Sequence, residues 1–306
     1  MGLYLYTYHG ILAGEKLCRG VKEMTEVMLS LATIERMAGD IQNAIRHARV
    51  LFEKSDFTVD KKADGSPVTS IDTTIEVLLK NICRTHLGES IHFVAEEVED
   101  LASSEGKRFW VFIDPIDGTT PLCAGDAQNS CIAVGVFLDG APYVGFVAKL
   151  GDQSIMYGGH AIDGIVRRLV DGQSWEPIEV GSQNKMCCID LASGPAADPV
   201  MSKFILSVVA DRTLGGYPYN VPSIAAALKL IEGHSKFFIG SNSKPWDVGA
   251  IMPMLEWLGY TFQSLETGLP ITLDGSRTAI PAFVMSISPE YTKRLIALYR
   301  IIKESV

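Results

Sequence analysis

Several things this chain lacks narrow what it can be. None of its six cysteines (Cys18, Cys83, Cys123, Cys131, Cys187, Cys188) stands in a CxxC pair, so neither a zinc site nor a disulfide framework is suggested. Reduced, partly buried thiols are expected, since the adjacent Cys187 and Cys188 would bridge only with strain. The six histidines (His9, His47, His86, His92, His160, His234) form no HxH or HExxH pattern, which argues against a histidine-held metal and for solvated or core imidazoles. No apolar run reaches the roughly 18 residues of a membrane helix. No Lys/Arg-rich run is present either, and with a formal net charge of −9 this speaks against a nucleic-acid polymer or an anionic membrane as partner. The opening MGLYLYTYHG has no basic n-region, no small-residue cleavage site follows it, and Tyr6 stands where a myristoylation pattern needs Ser or Thr. A cytoplasmic protein is expected.

What is present reads as a globular chain with an ample core: 306 residues, 47% hydrophobic and 21% charged. Apolar residues recur at helical spacing from Thr25 to Lys54, with Gly39 as a candidate break, and a second helix is expected from Ile71 to about His86, with Ser70 or Asp72 near its start. Ile91–Glu97 and Phe109–Pro115 have strand character and both end in carboxylates; Ser130–Leu150 reads as two strands around the Asp139-Gly140 turn. An antiparallel sheet is therefore expected in the first half. After Gly181 come a strand at Cys188–Ser193, helices near Asp198–Ala210 and Ser223–Glu232, a strand KFFIG, a helix from Asp247 to Leu258, and a last helix Pro289–Lys303. With no internal repeat and no linker, two closely packed halves are expected, residues 1–180 and 181–306, with a soft boundary in Val170–Cys188.

The most informative segment is FWVFIDPIDGTTP, where a buried strand delivers Asp114 and Asp117 around Pro115. Proline's fixed φ suits a turn that aims both carboxylates and the Ile116 carbonyl into one cavity, and hard oxygen donors at that density suit magnesium better than zinc. If Gly118-Thr119-Thr120 opens a short helix, its N–H groups face the same cavity and can hold a phosphate. Taken alone, Asp-Pro-Ile-Asp-Gly-Thr reads equally well as a plain turn, and Asp247, after Lys244-Pro245-Trp246, as a helix cap.

The segments Asp64-Gly65-Ser66-Pro67-Val68-Thr69-Ser70-Ile71-Asp72, Ala95-Glu96-Glu97, Asp114-Pro115-Ile116-Asp117-Gly118-Thr119-Thr120 and Trp246-Asp247-Val248-Gly249-Ala250 together resemble the motif set of the inositol monophosphatase superfamily, in the family's order, over about Ile41 to Ser286. The resemblance implies an α+β fold, a layered α/β/α/β/α sandwich of the inositol monophosphatase and fructose-bisphosphatase type, with an antiparallel sheet in the first half, a smaller mixed sheet in the second and the metals between them. It implies two to three Mg2+ ions: one on Glu96, Asp114 and the Ile116 carbonyl, one on Asp114, Asp117 and Asp247, and a weaker third on Glu96 and water. Asp72 and Thr119 would orient the attacking water, with Glu97 in support and Gly118, Thr119 and Thr120 binding phosphate. The implied reaction is direct in-line hydrolysis of a small phosphate monoester, without a phosphoenzyme, because the spacing is D-x-x-D. Lithium sensitivity and a homodimer also come with the family.

The substrate is less determined. The family's usual Asn-Phe after Asp-Gly-Thr-Thr is Pro121-Leu122 here, and Gly240 stands where an acidic residue grips inositol hydroxyls. Lys244 is similar to the basic residue that 3′(2′),5′-bisphosphate nucleotidases often carry beside the aspartate and could meet a second phosphate, although those enzymes usually have Lys where Thr120 stands. Inositol-like phosphates and 3′-phosphoadenosine 5′-phosphate both stay open, with other sugar or histidinol phosphates behind them. The alternatives of another class are a non-catalytic regulatory or scaffold homologue, against which every ligand position is filled, and a binding module using Tyr4, Tyr6 and Tyr8.

Overall fold

A computed structural model describes residues 29–98, 105–151, 156–160, 164–169, 174–178, 186–190, 198–214, 216–219 and 222–306. The N-terminal tyrosines, the start of the first expected helix and most of the Val170–Cys188 boundary lie outside the described residues.

Helix α1 (Leu31–Glu53) is capped by Ser30, whose hydroxyl accepts from Thr33 N at 3.1 Å, and buries the stripe Ile34, Met37, Ile41, Ile45 and Ala48. It runs through Gly39 without the break the sequence suggested. A glycine costs a helix only about 1 kcal/mol relative to alanine, too little to interrupt one anchored by that stripe. Strands β1 (Val59–Lys61) and β2 (Pro67–Thr69) form a hairpin that leads into α2 (Ser70–Leu87). The start of α2 is a capping box in which Thr69 is the N-cap and Asp72 reaches back to its N–H.

Strands β3 (Ile91–Ala95) and β4 (Phe109–Asp117) pair in parallel, one departure from the antiparallel sheet expected in the first half. A short helix α3 (Thr119–Cys123) follows β4 directly. Then β5 (Cys131–Leu138), β6 (Ala141–Lys149), β7 (Met156–His160), β8 (Arg167–Leu169) and β9 (Glu176–Pro177) complete a seven-stranded sheet in sequence order, antiparallel from β4 onward. The β5–β6 turn is Asp139-Gly140, both at positive φ (51° and 82°), which matches the twist of the hairpin.

The second sheet contains β10 (Met186–Asp190), β11 (Gly216–Tyr219), β12 (Ser235–Gly240), β13 (Thr261–Ser264) and β14 (Phe283–Ser286), in the mixed order β11-β10-β12-β14-β13. Its helices are α4 (Pro199–Ala210), capped by Asp198, α5 (Ser223–Ile231), α6 (Pro245–Gly249), α7 (Ile251–Trp257) and α8 (Pro289–Glu304). The single helix expected over Asp247–Leu258 is two. Pro253 has no N–H to give the Gly249 carbonyl, so the ladder breaks between α6 and α7.

The layers are α/β/α/β/α. Helices α1 and α2 cover one face of the large sheet. Its other face packs on α5, α6 and α7, which also meet the second sheet through Phe238, Phe283 and Met285. Helices α4 and α8 close the far side. The middle layer sits unusually close: a Cβ on Gly135 of β5 would lie 2.2 Å from the Gly249 carbonyl oxygen, and one on Gly249 2.5 Å from Phe112 Cβ. Glycine at both positions lets α6 touch the sheet backbone. Among the described residues, no helix is long and apolar enough to cross a membrane.

Candidate active site

In a regular strand, residues three apart point to opposite faces. Asp114 and Asp117 escape that rule because β4 is bulged between them: Asp114 pairs with Ala133 and Asp117 with Cys131, three residues against two. Pro115 sits inside the bulge, where its missing N–H costs no ladder bond. Both carboxylates therefore reach one cavity of about 520 Å3, whose wall also includes Glu96, Ile116, Thr119 and Asp247. Gly118 and Thr120 line it too, so eight of the sequence-predicted positions meet there.

Gly118 makes the corner. Its φ is 96°, and a Cβ would fall 2.6 Å from Pro222 Cγ. Ser130 Oγ donates to the Gly118 carbonyl at 3.0 Å and holds the turn from below. The second structural half reaches the cavity through α5 and α6. Asp117 Oδ2 accepts from Ile224 N at 2.7 Å and so caps α5 from across the cavity. Asp247 is both of the things its sequence allowed: its Oδ2 accepts from Lys244 N at 2.7 Å, reaching back to the backbone that opens α6, and the residue lines the cavity.

Behind the cavity Thr119 Oγ1 lies 3.0 Å from Asp72 Oδ1 and 3.1 Å from the Ile116 carbonyl, so one hydroxyl proton serves two acceptors. Asp72 is fully buried and also accepts from both the N–H and the hydroxyl of Thr69. Burial raises its carboxyl above the usual range, and these donors only partly offset that.

Electrostatically the cavity is an unbalanced cluster of acids. Asp114 Oδ1 is buried with no hydrogen-bond partner. Its carboxyl is pushed well above its ordinary value by burial and then by the charges of Glu96, Asp117 and Asp247. Such a group is stable as an anion only beside a cation. The donors are all hard oxygens, with no histidine or cysteine in the wall, which fits magnesium. Among the described residues no three acidic, histidine or cysteine side chains already form a closed cage.

Four neighbours escaped the sequence. Lys62 Nζ lies 2.6 Å from Glu96 Oε1 and 2.8 Å from Glu97 Oε1. Burial would lower the Lys62 pKa, but the two carboxylates outweigh it and hold the ammonium above its ordinary value. The Glu97 carboxyl is pushed up to about 7, chiefly by burial, with Lys62 opposing. From the other side buried Glu76 accepts from Glu97 N at 2.7 Å and Val98 N at 2.9 Å, while Lys80 donates to the Val98 carbonyl at 2.9 Å. An i,i+4 Glu–Lys pair on a helix reads as a solvated surface pair in sequence, and nothing marked this one as buried. The fourth is Arg277, which lines an adjoining cavity of about 740 Å3 together with Lys62, Lys244, Glu96 and Asp247. Gly240 is not in either wall; it ends β12, packed against the Phe283 ring. Glu97 is likewise behind the wall, held by Lys62 and Glu76.

Comparison with known proteins bears on this arrangement. The model of the inositol monophosphatase family matches residues 21–304. The crystal structure of inositol monophosphatase II from Staphylococcus aureus superposes with a TM-score of 0.68 at 18% identity, covering 90% of this chain and 99% of that one. An IMPase/NADP phosphatase complexed with Mg2+ and phosphate gives 0.64 at 18% identity, over 92% of this chain and 96% of that one. A curated glucose-1-phosphate thymidylyltransferase from Streptomyces griseus is 38% identical over 69 residues, 22% of this chain and 26% of that protein, so the chain spans about a quarter of the curated relative it matches.

Proposed function

The chain belongs to the inositol monophosphatase family, and on that premise we propose that it is a magnesium-dependent phosphomonoesterase that hydrolyses a small phosphate monoester with water. The observation that carries this reading is the buried, unpartnered Asp114 Oδ1 amid the charges of Glu96, Asp117 and Asp247. Glu96, Asp114, the Ile116 carbonyl, Asp117 and Asp247 would hold two to three ions, in keeping with a structural relative that carries Mg2+ and phosphate. Magnesium bound there would neutralise the substrate, activate a water and stabilise the leaving alkoxide.

The chain's own groups do the rest. Thr119 gives its proton to Asp72 and keeps its lone pairs toward the cavity, where they accept from the attacking water and fix its line of approach. Gly118, Thr119 and Thr120 offer peptide N–H groups of the first helical turn to the phosphate oxygens, since those groups precede any partner within the helix. Lys62 restrains Glu96 and Glu97 while leaving Asp114 to the cation side of the cavity. Residues 1–180 would supply most ligands and residues 181–306 Asp247, in a cytoplasmic, lithium-sensitive homodimer.

A 3′(2′),5′-bisphosphate nucleotide such as 3′-phosphoadenosine 5′-phosphate is the second substrate reading. It is favoured by Lys244 in the wall of the adjoining cavity, which Asp247 also lines. Phosphate release from inositol 1-phosphate and from 3′-phosphoadenosine 5′-phosphate, side by side with and without magnesium, tests both. Magnesium-dependent release from either supports the activity and selects the substrate class; no release from these or other small esters contradicts it.

A further inference from the structure

Among the described residues, strand β3 is the edge of the large sheet, and no strand pairs on its outer side. The loop before β14 fills that edge. His92 Nε2 lies 2.8 Å from the Gly275 carbonyl, and a Cβ on Gly275 would lie 3.2 Å from the Trp110 indole, so the loop backbone is seated against side chains of β3 and of its neighbour β4. Arg277 then donates Nη1 to the Ala95 carbonyl and Nη2 to the Glu96 carbonyl, the latter at 3.0 Å. The other side of the same guanidinium lies 4.7 Å from the centre of the Trp246 ring. Ile280 N donates to the Ser243 carbonyl at 2.7 Å and binds the loop to the segment that opens α6.

One side chain thus touches the residue carrying one candidate ligand, Glu96, and the residue adjacent to another, Asp247. Only arginine supplies the geometry: two parallel donors for two successive carbonyls and a flat face for the indole. We propose that Arg277 is a positioning residue, a strap between the Glu96 loop and the Trp246-Asp247 turn that fixes the span between the two carboxylates across the cavity. The strap stands on geometry alone; its effect on cation binding rests on the metal reading above.

The sign of the effect separates positioning from charge. Arg277 is a cation beside a site for cations, so losing its charge alone would tighten magnesium binding. Losing its positioning would weaken it.

The test uses Arg277→Met, which keeps the apolar stem, and Arg277→Lys, which keeps the charge but not the fork. Amide hydrogen exchange is followed in peptides covering residues 95–98 and 244–249, and magnesium binding is measured by calorimetry beside the magnesium concentration for half-maximal phosphate release. The expected result for folded Arg277→Met is faster exchange in both segments and magnesium binding weaker by about 10–100-fold, the range for groups that orient metal ligands, with Arg277→Lys recovering part of it. A merely stabilising residue would lower the amount of active enzyme without moving the magnesium dependence. Unchanged exchange in both segments, or magnesium binding as tight or tighter, overturns the proposal. Should Arg277→Met not fold, unchanged exchange in Arg277→Lys overturns it in the same way. Should the wild-type protein itself bind no magnesium, the metal reading fails, and the exchange experiment alone decides the strap.

Discussion

Thr119 Oγ1 donates to Asp72 Oδ1 at 3.0 Å, across 47 residues of sequence and between the first turns of two helices. The pair stands behind the acidic cavity, with Asp72 fully buried and Thr119 in the cavity wall. With its proton spent on Asp72 and the Ile116 carbonyl, the hydroxyl can accept from a water but not donate to it.

Replacing Thr119 by valine keeps the volume and removes that acceptor. The expected outcome is a fall in kcat of about 10²–10⁴, the usual range for a positioned proton-transfer group, with KM little changed and Thr119→Ser retaining most activity. Steady-state kinetics of both variants on one phosphate monoester checks this. Equal activity in valine and serine variants would remove Thr119 from the reaction.

Gly135→Ala addresses the construction of the site rather than its chemistry. The added Cβ would overlap the Gly249 carbonyl oxygen, which is backbone and cannot swing aside. Overpacking costs about 1–3 kcal/mol, and here the strain falls on α6, which carries Asp247. Thermal unfolding should show a lower midpoint, and activity should fall by more than the loss of folded protein explains.

Cation binding should release protons. Without a cation the Asp114 carboxyl is held well above its ordinary value by burial and its acidic neighbours, so its protonated form is favoured over that of an exposed aspartate. Ligation requires the carboxylate, so magnesium affinity should rise with pH until that group has ionised. Calorimetry at one pH in buffers of different ionisation enthalpy measures the release; a binding enthalpy independent of buffer would contradict it.

Thiol chemistry gives a check on burial that is independent of function. Burial pushes the Cys83 thiol up to about 12 and also raises Cys131 well above the ordinary thiol range, while Cys123 is exposed on α3. Thiolate is the reactive form, so alkylation of the native protein at about pH 8, read by peptide mass, should label Cys123 well before Cys83 or Cys131.

Much of this was legible from sequence because it is local. Helical spacing marked Ile34, Met37, Ile41 and Ile45, the Asp139-Gly140 pair marked a hairpin, and four short motifs marked the walls of one cavity. What was not legible depends on partners distant in sequence. The bulge that brings Asp114 and Asp117 to one side exists only against β5. The parallel pairing of β3 and β4 is a matter of connection, which apolar patterning does not record. Lys62, Glu76 and Arg277 look like ordinary surface charges until residues 34, 21 and 181 positions away close on them. Pro253 was visible, and its effect on the α6–α7 break follows from elementary helix geometry.

The central claim is that the acids around Asp114 hold magnesium for phosphate ester hydrolysis. Phosphate release by wild type and Asp117→Asn, with magnesium titrated from none to excess, tests it most directly. Asparagine still accepts from Ile224 N, so the cap on α5 and the fold should survive. Loss of one ligand charge at about 4 kcal/mol of transition-state stabilisation corresponds to roughly 10³ in rate. The account predicts magnesium-dependent release by the wild type and a loss of that order in a folded Asp117→Asn. Full activity in the folded variant, or release that ignores magnesium, would contradict it.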